Sequence, residues 1–458
     1  MGYVKLVFFM LYAFLCQLAF SSSSPHLCPE DQALALLQFK HMLTINPNAS
    51  DYCYDYTNQR MQSSYPTTLS WNKSTDCCSW DGVHCDKTTG QVIELDLGCS
   101  QLQGKFHSNS SLFQLSNLKM LNLSYNDFTG SLISPKFGEF SSLTHLDLSD
   151  SNFTGLIPSE ISHLFKLQVL RFSGLNELRL GPHNFELLLQ NLTQLRELNL
   201  DSVNISSTIP SNFSSHLTTL QLSDTQLRGV LPVRVFHLSD LEFLDLSSNL
   251  QLTVRLPTTK WNSSASLMKL YLGYVNFTGR IPESFSHLTA LHELDMGSTN
   301  LSGPILKPLW NLTNIESLFL DDNHLEVPIS QFSIFEKLKY LSLRNNSFDG
   351  RLEFLSFNRS WTQLIEMLDF SSNSLTGPIP SNVSGLQNLK QLYLSSNHLN
   401  GTIPSWIFSL PSLIVLDLSN NTFSGKIQEF KSKTLYAVAL KENKLEVGKR
   451  FSWVTVVV

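Results

Sequence analysis

The chain has 458 residues, 42% of them hydrophobic, with 32 basic against 38 acidic residues and a net charge of −6 at pH 7. That is ample apolar mass for a core but too great a length for one ordinary core. The acidic balance, with no run of Lys and Arg to offset it, excludes nucleic acid as a partner.

In chain order, residues 1–21 hold Lys5, the apolar run LVFFMLYAFLCQLAF and then Ala19-Phe20-Ser21, which suits small-residue cleavage. This reads as a secretory signal peptide, too short and too early for a membrane span, and no later stretch approaches about twenty apolar residues. A secreted, extracellular chain with no membrane span of its own is the expectation. Once Cys16 leaves with that segment, Cys28, Cys53, Cys77, Cys78, Cys85 and Cys99 remain, all before residue 100. Six clustered cysteines in an exported chain predict a disulfide-stapled module, for which fifteen pairings exist. Residues 22–91 are assigned to that N-terminal cap, with an apolar helix around EDQALALLQFKHML and the CCSWDGVHC stretch at 77–85.

From residue 92 to 447 one unit recurs about fifteen times: apolar, spacer, apolar, a polar step, then Leu or Phe and usually Gly. Its first apolar residues are Leu95, Leu121, Leu146, Leu170, Leu198, Leu220, Leu244, Leu270, Leu294, Leu318, Leu341, Leu368, Leu392, Leu416 and Val438, most often 24 residues apart. This is the leucine-rich-repeat signature, in which a short strand and a return path bury their apolar side only by stacking on neighbours. Leu121, Leu123 and Phe128 are thus expected against Leu146, Leu148 and Phe153. Asn holds the step in eight units, among them Asn126, Asn249, Asn323, Asn373, Asn397 and Asn421. Its side chain is expected to satisfy backbone groups where the chain leaves the strand. Many units continue as G-x-I-P, as in Gly279-Arg280-Ile281-Pro282 and Gly377-Pro378-Ile379-Pro380. The 28-residue interval from Leu170 to Leu198 contains NFELLLQNL and predicts a longer convex loop or helical turn. Residues 448–458, ending VTVVV, abandon the pattern and read as an aberrant tail.

Seventeen N-x-Ser/Thr sequons are candidate glycan acceptors: Asn48, Asn72, Asn109, Asn122, Asn152, Asn191, Asn204, Asn212, Asn262, Asn276, Asn300, Asn311, Asn345, Asn358, Asn382, Asn400 and Asn420. Asn122, Asn345 and Asn420 are assigned to strand spacers on the concave side, and most of the others to edges or the convex side.

Catalysis finds no foothold, since nucleophile elbow, phosphate loop and zinc motif are all missing; no enzyme activity, metal or cofactor is expected. His163, His237 and His287, in recurring SHL or FHL contexts, suit turn packing. Binding is favoured instead. Spacer residues of fifteen strands at about 4.8 Å make a concave face roughly 70 Å long, ample for a protein or peptide ligand. Down that face run Asp245, Tyr271, Asp295, Phe319, Ser342, Asp369, Tyr393 and Asp417. Aromatic residues among polar neighbours suit an interface, so Tyr271, Tyr274, Phe319, Tyr340 and Tyr393, with Asp295 and Asp369, are the candidate ligand-binding residues. For most of the acids a scaffold role, bonded to nearby Ser or Thr hydroxyls, is the stronger expectation.

The cap text PHLCPEDQALALLQF, the stretch TLSWNKSTDCCSWDGVHC and the ordered LDLS and G-x-IP units resemble the Cf-type plant receptor-like proteins that confer resistance to a leaf-mould fungus. The resemblance runs to about residue 445. It implies a right-handed leucine-rich-repeat solenoid of the plant extracellular type with a disulfide-bonded helical cap. It also implies Cys28 paired with Cys77 and Cys78 with Cys85, and Cys53 with Cys99 as the third pair. The implied function is extracellular recognition in plant innate immunity, with a pathogen-derived or host protein as ligand, a fungal effector among the candidates, and signalling through a partner receptor kinase in the full-length form. Family members add further repeats, one transmembrane helix and a short tail and sit at the plasma membrane, so this chain reads as a truncated extracellular part. Two alternatives stand beside it: a secreted polygalacturonase-inhibitor-like or decoy protein, and a non-functional receptor fragment.

Overall fold

The computed structural model describes residues 27–55, 60–61, 63–174, 178–259, 261, 266–303, 306–326, 332, 334–352, 363–383, 385–446 and 455–457. The expected signal peptide and the sequons at Asn262 and Asn358 lie outside them. The chain divides into two units, Met1–Leu195 and Arg196–Val458.

The first unit opens with a helix, Glu30–His41, whose buried residues Gln32, Ala35, Leu36 and Phe39 follow the spacing of one helical face. Glu30 and Asp31 in its first turn and Lys40 and His41 in its last oppose the helix dipole. The buried face turns toward the first repeat, where Gln32 Oε1 accepts the Val92 N–H at 2.8 Å and Ser111 Oγ donates to the Ala35 carbonyl at 2.7 Å. Disulfides Cys28–Cys77, Cys53–Cys99 and Cys78–Cys85 close the cap. Trp71 and Trp80 stack beneath them with ring centroids 5.6 Å apart. In the CCSWDGVHC stretch, Gly82 has φ +75° and a Cβ there would lie 2.2 Å from the Asp96 carbonyl oxygen. Only glycine lets Val83–Cys85 turn back antiparallel onto Val92–Asp96.

From there the strands run parallel and in step, Leu95 beside Leu121, Leu146 and Leu170. These leucines are fully buried. Behind them Phe106 touches Phe39, Phe113, Phe128, Phe137 and Phe153, filling the column with rings. The long interval contains a helix, Pro182–Asn191, burying Phe185, Leu188 and Leu189.

In the second unit the same ladder links Leu198, Leu220, Leu244, Leu270, Leu294, Leu318, Leu341, Leu368, Leu392, Leu416 and Val438 rung by rung. Thr455–Val457, within the expected tail, forms a further strand parallel to Ala437–Ala439. The return paths add smaller parallel sheets, one from Arg228–Val230, Gln251–Val254 and Asn276–Phe277, another of five strands ending at Lys444–Glu446.

The step asparagines explain why the turn repeats. Asn397 Nδ2 donates to the carbonyls of Phe370, Leu394 and Ser395 at 2.9–3.2 Å, while its Oδ1 accepts the Leu375 N–H at 3.0 Å. Asn126, Asn249 and Asn421 repeat this pattern. Where Thr replaces Asn, as at Thr299, the hydroxyl takes over one carbonyl, here that of Met296 at 2.7 Å. One residue before the step the backbone is left-handed whatever the side chain, with φ +53° at Tyr125, +58° at Tyr274, +50° at Asn345 and +52° at Asn420.

Candidate functional site

The strand face of the second unit carries residues that alternate with the buried leucines, because successive side chains of a strand point to opposite faces. Register sets their neighbours: Tyr271 lies between Asp245 and Asp295, and Phe319 follows Asp295. Further along, Tyr393 lies between Asp369 and Asp417. Aromatic and acid therefore alternate across adjacent rungs from Asp245 to Phe319 and from Asp369 to Asp417, with Ser342 between the two runs.

Several of these carboxylates also hold the strand end. Asp245, Asp369 and Asp417 each accept the backbone N–H and the hydroxyl of the Ser two residues on, at 2.5–3.0 Å. Asp295 has Gly297 at that place and accepts only its N–H, at 2.8 Å. One oxygen of each is thus committed, and the other takes no hydrogen bond among the described residues. Burial pushes Asp245, Asp295 and Asp369 above the ordinary carboxylate range despite those donors. Asp321, one column further out, is held up at about 6 by burial, with Asp369 and Asp295 nearby adding to the rise; the Ser342 hydroxyl donates to it.

The aromatic candidates differ from one another. Tyr271 is half-buried, packs edge-on against Phe243 at 5.2 Å and donates its hydroxyl to Glu293. Tyr340 donates to Glu366 at 2.8 Å. Glu293 in turn pairs with Lys269 at 2.9 Å, Glu316 with Lys339 at 2.6 Å and Glu366 with Lys390 at 2.7 Å. Burial and the adjoining carboxylates push both phenols up. The hydroxyl of Tyr393 takes no partner among the described residues, and burial with Asp369 and Asp417 raises its pKa. Tyr274 is 51% exposed and sits in the left-handed turn rather than on a strand, which corrects its expected place. Asn345 and Asn420 share that correction, so of the three sequons assigned to strand spacers only Asn122 lies in one, Met120–Asn122. There its Nδ2 already donates to Asp96 at 2.8 Å.

Sequence reasoning missed the ladder of Glu293, Glu316, Glu366, Lys269, Lys339 and Lys390, which stands one or two residues before the first apolar position. Glu and Lys at those offsets in successive repeats were the available signal. Cys28, Asp76, Cys77 and Cys78 also lie together, but the sulfurs are spent in disulfides and Asp76 Oδ1 accepts the N–H groups of Cys28 and Cys78. His287 Nδ1 lies 3.1 Å from the Ser284 carbonyl, a contact within its own turn.

Comparison with known proteins gives the family. Residues 29–52 and 60–86 match the leucine rich repeat N-terminal domain, and residues 117–138, 142–164, 193–250, 364–386 and 387–432 match leucine rich repeat families. The Receptor-like protein Cf-9 of Solanum pimpinellifolium is 79% identical over 446 residues, 97% of this chain and 51% of that protein. Among solved structures, PEPR1-AtPEP1 is 26% identical with a TM-score of 0.61, covering 90% of this chain and 58% of that one. The plant peptide hormone receptor RGFR1 in complex with RGF2 is 26% identical with a TM-score of 0.55, covering 80% of this chain and 68% of that one. The chain spans about half the length of the curated relatives it matches. With cap, repeats and this likeness together, it belongs to the plant leucine-rich-repeat receptor-like proteins of the Cf-9 type.

Proposed function

We propose that the strand face of residues 196–458 captures an extracellular peptide or protein segment bearing Arg or Lys, pathogen-derived or host, as the recognition step of plant defence. The observation that carries this reading is the half-buried Tyr393 between Asp369 and Asp417, its hydroxyl without a partner among the described residues. A ring flanked by carboxylates attracts a cation both through its face and through its neighbours. Likeness to RGFR1, a peptide hormone receptor solved with RGF2, supports a peptide on this face. Likeness to the receptor-like protein Cf-9 supports a receptor role, and placement outside the cell with signalling through a partner kinase in the full-length form extends that reading.

The test uses the full chain secreted from plant cells and a library of short peptides with Arg or Lys, each paired with its Glu-substituted form. Basic peptides are expected to bind, and Tyr393→Ala is expected to weaken them on the order of tenfold or more. Unchanged binding by a Tyr271→Ala, Phe319→Ala, Tyr393→Ala triple variant that keeps its melting temperature would reject the reading.

A further inference from the structure

The return paths of the sixth to eighth units carry the opposite charge. Residues 226–239, 246–268 and 272–282 contain Arg228, Arg234, Arg255, Lys260 and Arg280 and no Asp or Glu. Arg228, Arg255 and Arg280 are exposed, and none forms an ion pair among the described residues. Register brings them together: Arg228 is level with Gln251, Val230 with Thr253 and Thr253 with Asn276. By strand alternation Arg228 and Arg255 share one face of that small sheet, and Arg280 follows three residues after its last strand, Asn276–Phe277. Arg255 Nε donates to Thr278 Oγ1 at 3.1 Å, which fixes the guanidinium plane and leaves its two terminal nitrogens free.

Beside Arg228 opens a cavity of about 410 Å³ lined by Ser206, Asp224, Gln226, Ser248, Leu250 and Gln251. Its chemistry is hydroxyl and amide, with one carboxylate, Arg228 itself and two apolar residues, the buried Leu227 and Leu250, which is 74% exposed. Gln226 accepts from Ser206 at 2.9 Å and keeps its amide donors, and Gln251 has no side-chain partner among the described residues. A site for an acidic peptide has no use for Asp224. A sugar acid has, because a carboxylate accepts sugar hydroxyls, amides serve either sense, an apolar side chain covers a ring face, and the guanidinium fork takes a carboxylate through two parallel bonds.

We propose that this flank, Arg228, Arg255 and Arg280 with the adjoining cavity, binds a linear polymer of sugar acids. The assignment is independent of peptide capture on the strand face.

The experiment measures binding of the full secreted chain to a short galacturonate oligomer, to its methyl ester and to poly-glutamate. The galacturonate is expected to bind, with affinity falling on the order of tenfold on esterification or in an Arg228→Gln, Arg255→Gln, Arg280→Gln variant of unchanged melting temperature. Leu250→Ser is expected to weaken it several-fold without altering charge, whereas Lys426→Gln and Lys444→Gln, on the other return-path sheet, leave it unchanged. Equal binding of the ester, or by the triple arginine variant, overturns the proposal. So does poly-glutamate binding as tightly as galacturonate with Leu250→Ser neutral, which would make the partner an acidic protein segment. Asn276, whose Nδ2 donates to Thr253 Oγ1 at 3.2 Å, is a sequon on the same face. Asn276→Gln is expected to leave affinity equal or higher, and a loss would show that a glycan holds the probe.

Discussion

The asparagine steps and the aspartate column stand four residues apart where a repeat has both, as in Asp369 and Asn373, and use polar side chains in opposite ways. Asn397 is 6% exposed and has each of its hydrogen-bonding atoms engaged with backbone. Asp369 and Asp417 are half-buried, with one oxygen bonded to a Ser and the other without a hydrogen bond among the described residues. A saturated buried group contributes to folding and has nothing left for a ligand, while a half-satisfied group at the surface costs little stability and keeps binding capacity. Recognition in this molecule is therefore to be sought where hydrogen bonding is incomplete.

The largest effect expected from that contrast is at the step. Asn397→Ala orphans the Leu375 N–H and takes one of two donors from each of the carbonyls of Phe370, Leu394 and Ser395, which keep Asn373 Nδ2, Asn421 Nδ2 and the Ser372 N–H, and thermal or urea unfolding is expected to show a loss of about 1–3 kcal/mol. If Asp369→Ala costs as much, the distinction between the two columns fails.

Next comes Asp321, held at about 6 in the fold against 3.8 as the ordinary value. Between those values the folded chain keeps a proton that the unfolded chain has released. This group's contribution is therefore most favourable below about pH 4, declines as pH rises through the window, and is fully lost above about 6. Asp321→Asn removes the charge, so it is expected to stabilise by about 1–2 kcal/mol at pH 7 and by close to nothing at pH 4. A gain that does not depend on pH would place the cause elsewhere than in ionisation.

Tyr340→Phe deletes the bond to Glu366 and should cost about 1 kcal/mol, whereas Tyr393→Phe, with no bond to lose, should leave stability alone. Reversal of that order would mean that Tyr393 is scaffold. The smallest effect belongs to Lys390→Gln, which breaks a half-exposed pair with Glu366 and is expected to cost under about 1 kcal/mol, less at high salt.

Much of the fold was legible because it is periodic. The repeat of Leu95, Leu121 and Leu146, the cap helix and the step asparagines follow from local spacing, and each appears where the spacing put it. The NFELLLQNL interval was read as a loop or helical turn and is a ten-residue helix, since Phe185, Leu188 and Leu189 give it one face to bury. Less of the candidate face was legible. Reading only the residue between two leucines found Tyr271, Phe319 and Tyr393 but passed over Glu293 and Glu366, which decide which phenol is occupied. Tyr274 was grouped with the strand residues because sequence spacing carries no information about a left-handed turn.

What the sequence determined by itself is the repeating unit, its apolar positions and the cysteine-rich cap, because these depend on the order of residues within a few turns of chain. What only the tertiary structure decided is which side chains from different repeats meet. Arg228 and Arg255 lie 27 residues apart in sequence, yet one register of parallel strands puts them on a single face. Contacts across rungs depend on stacking and side-chain reach, and a chain read one residue at a time contains neither.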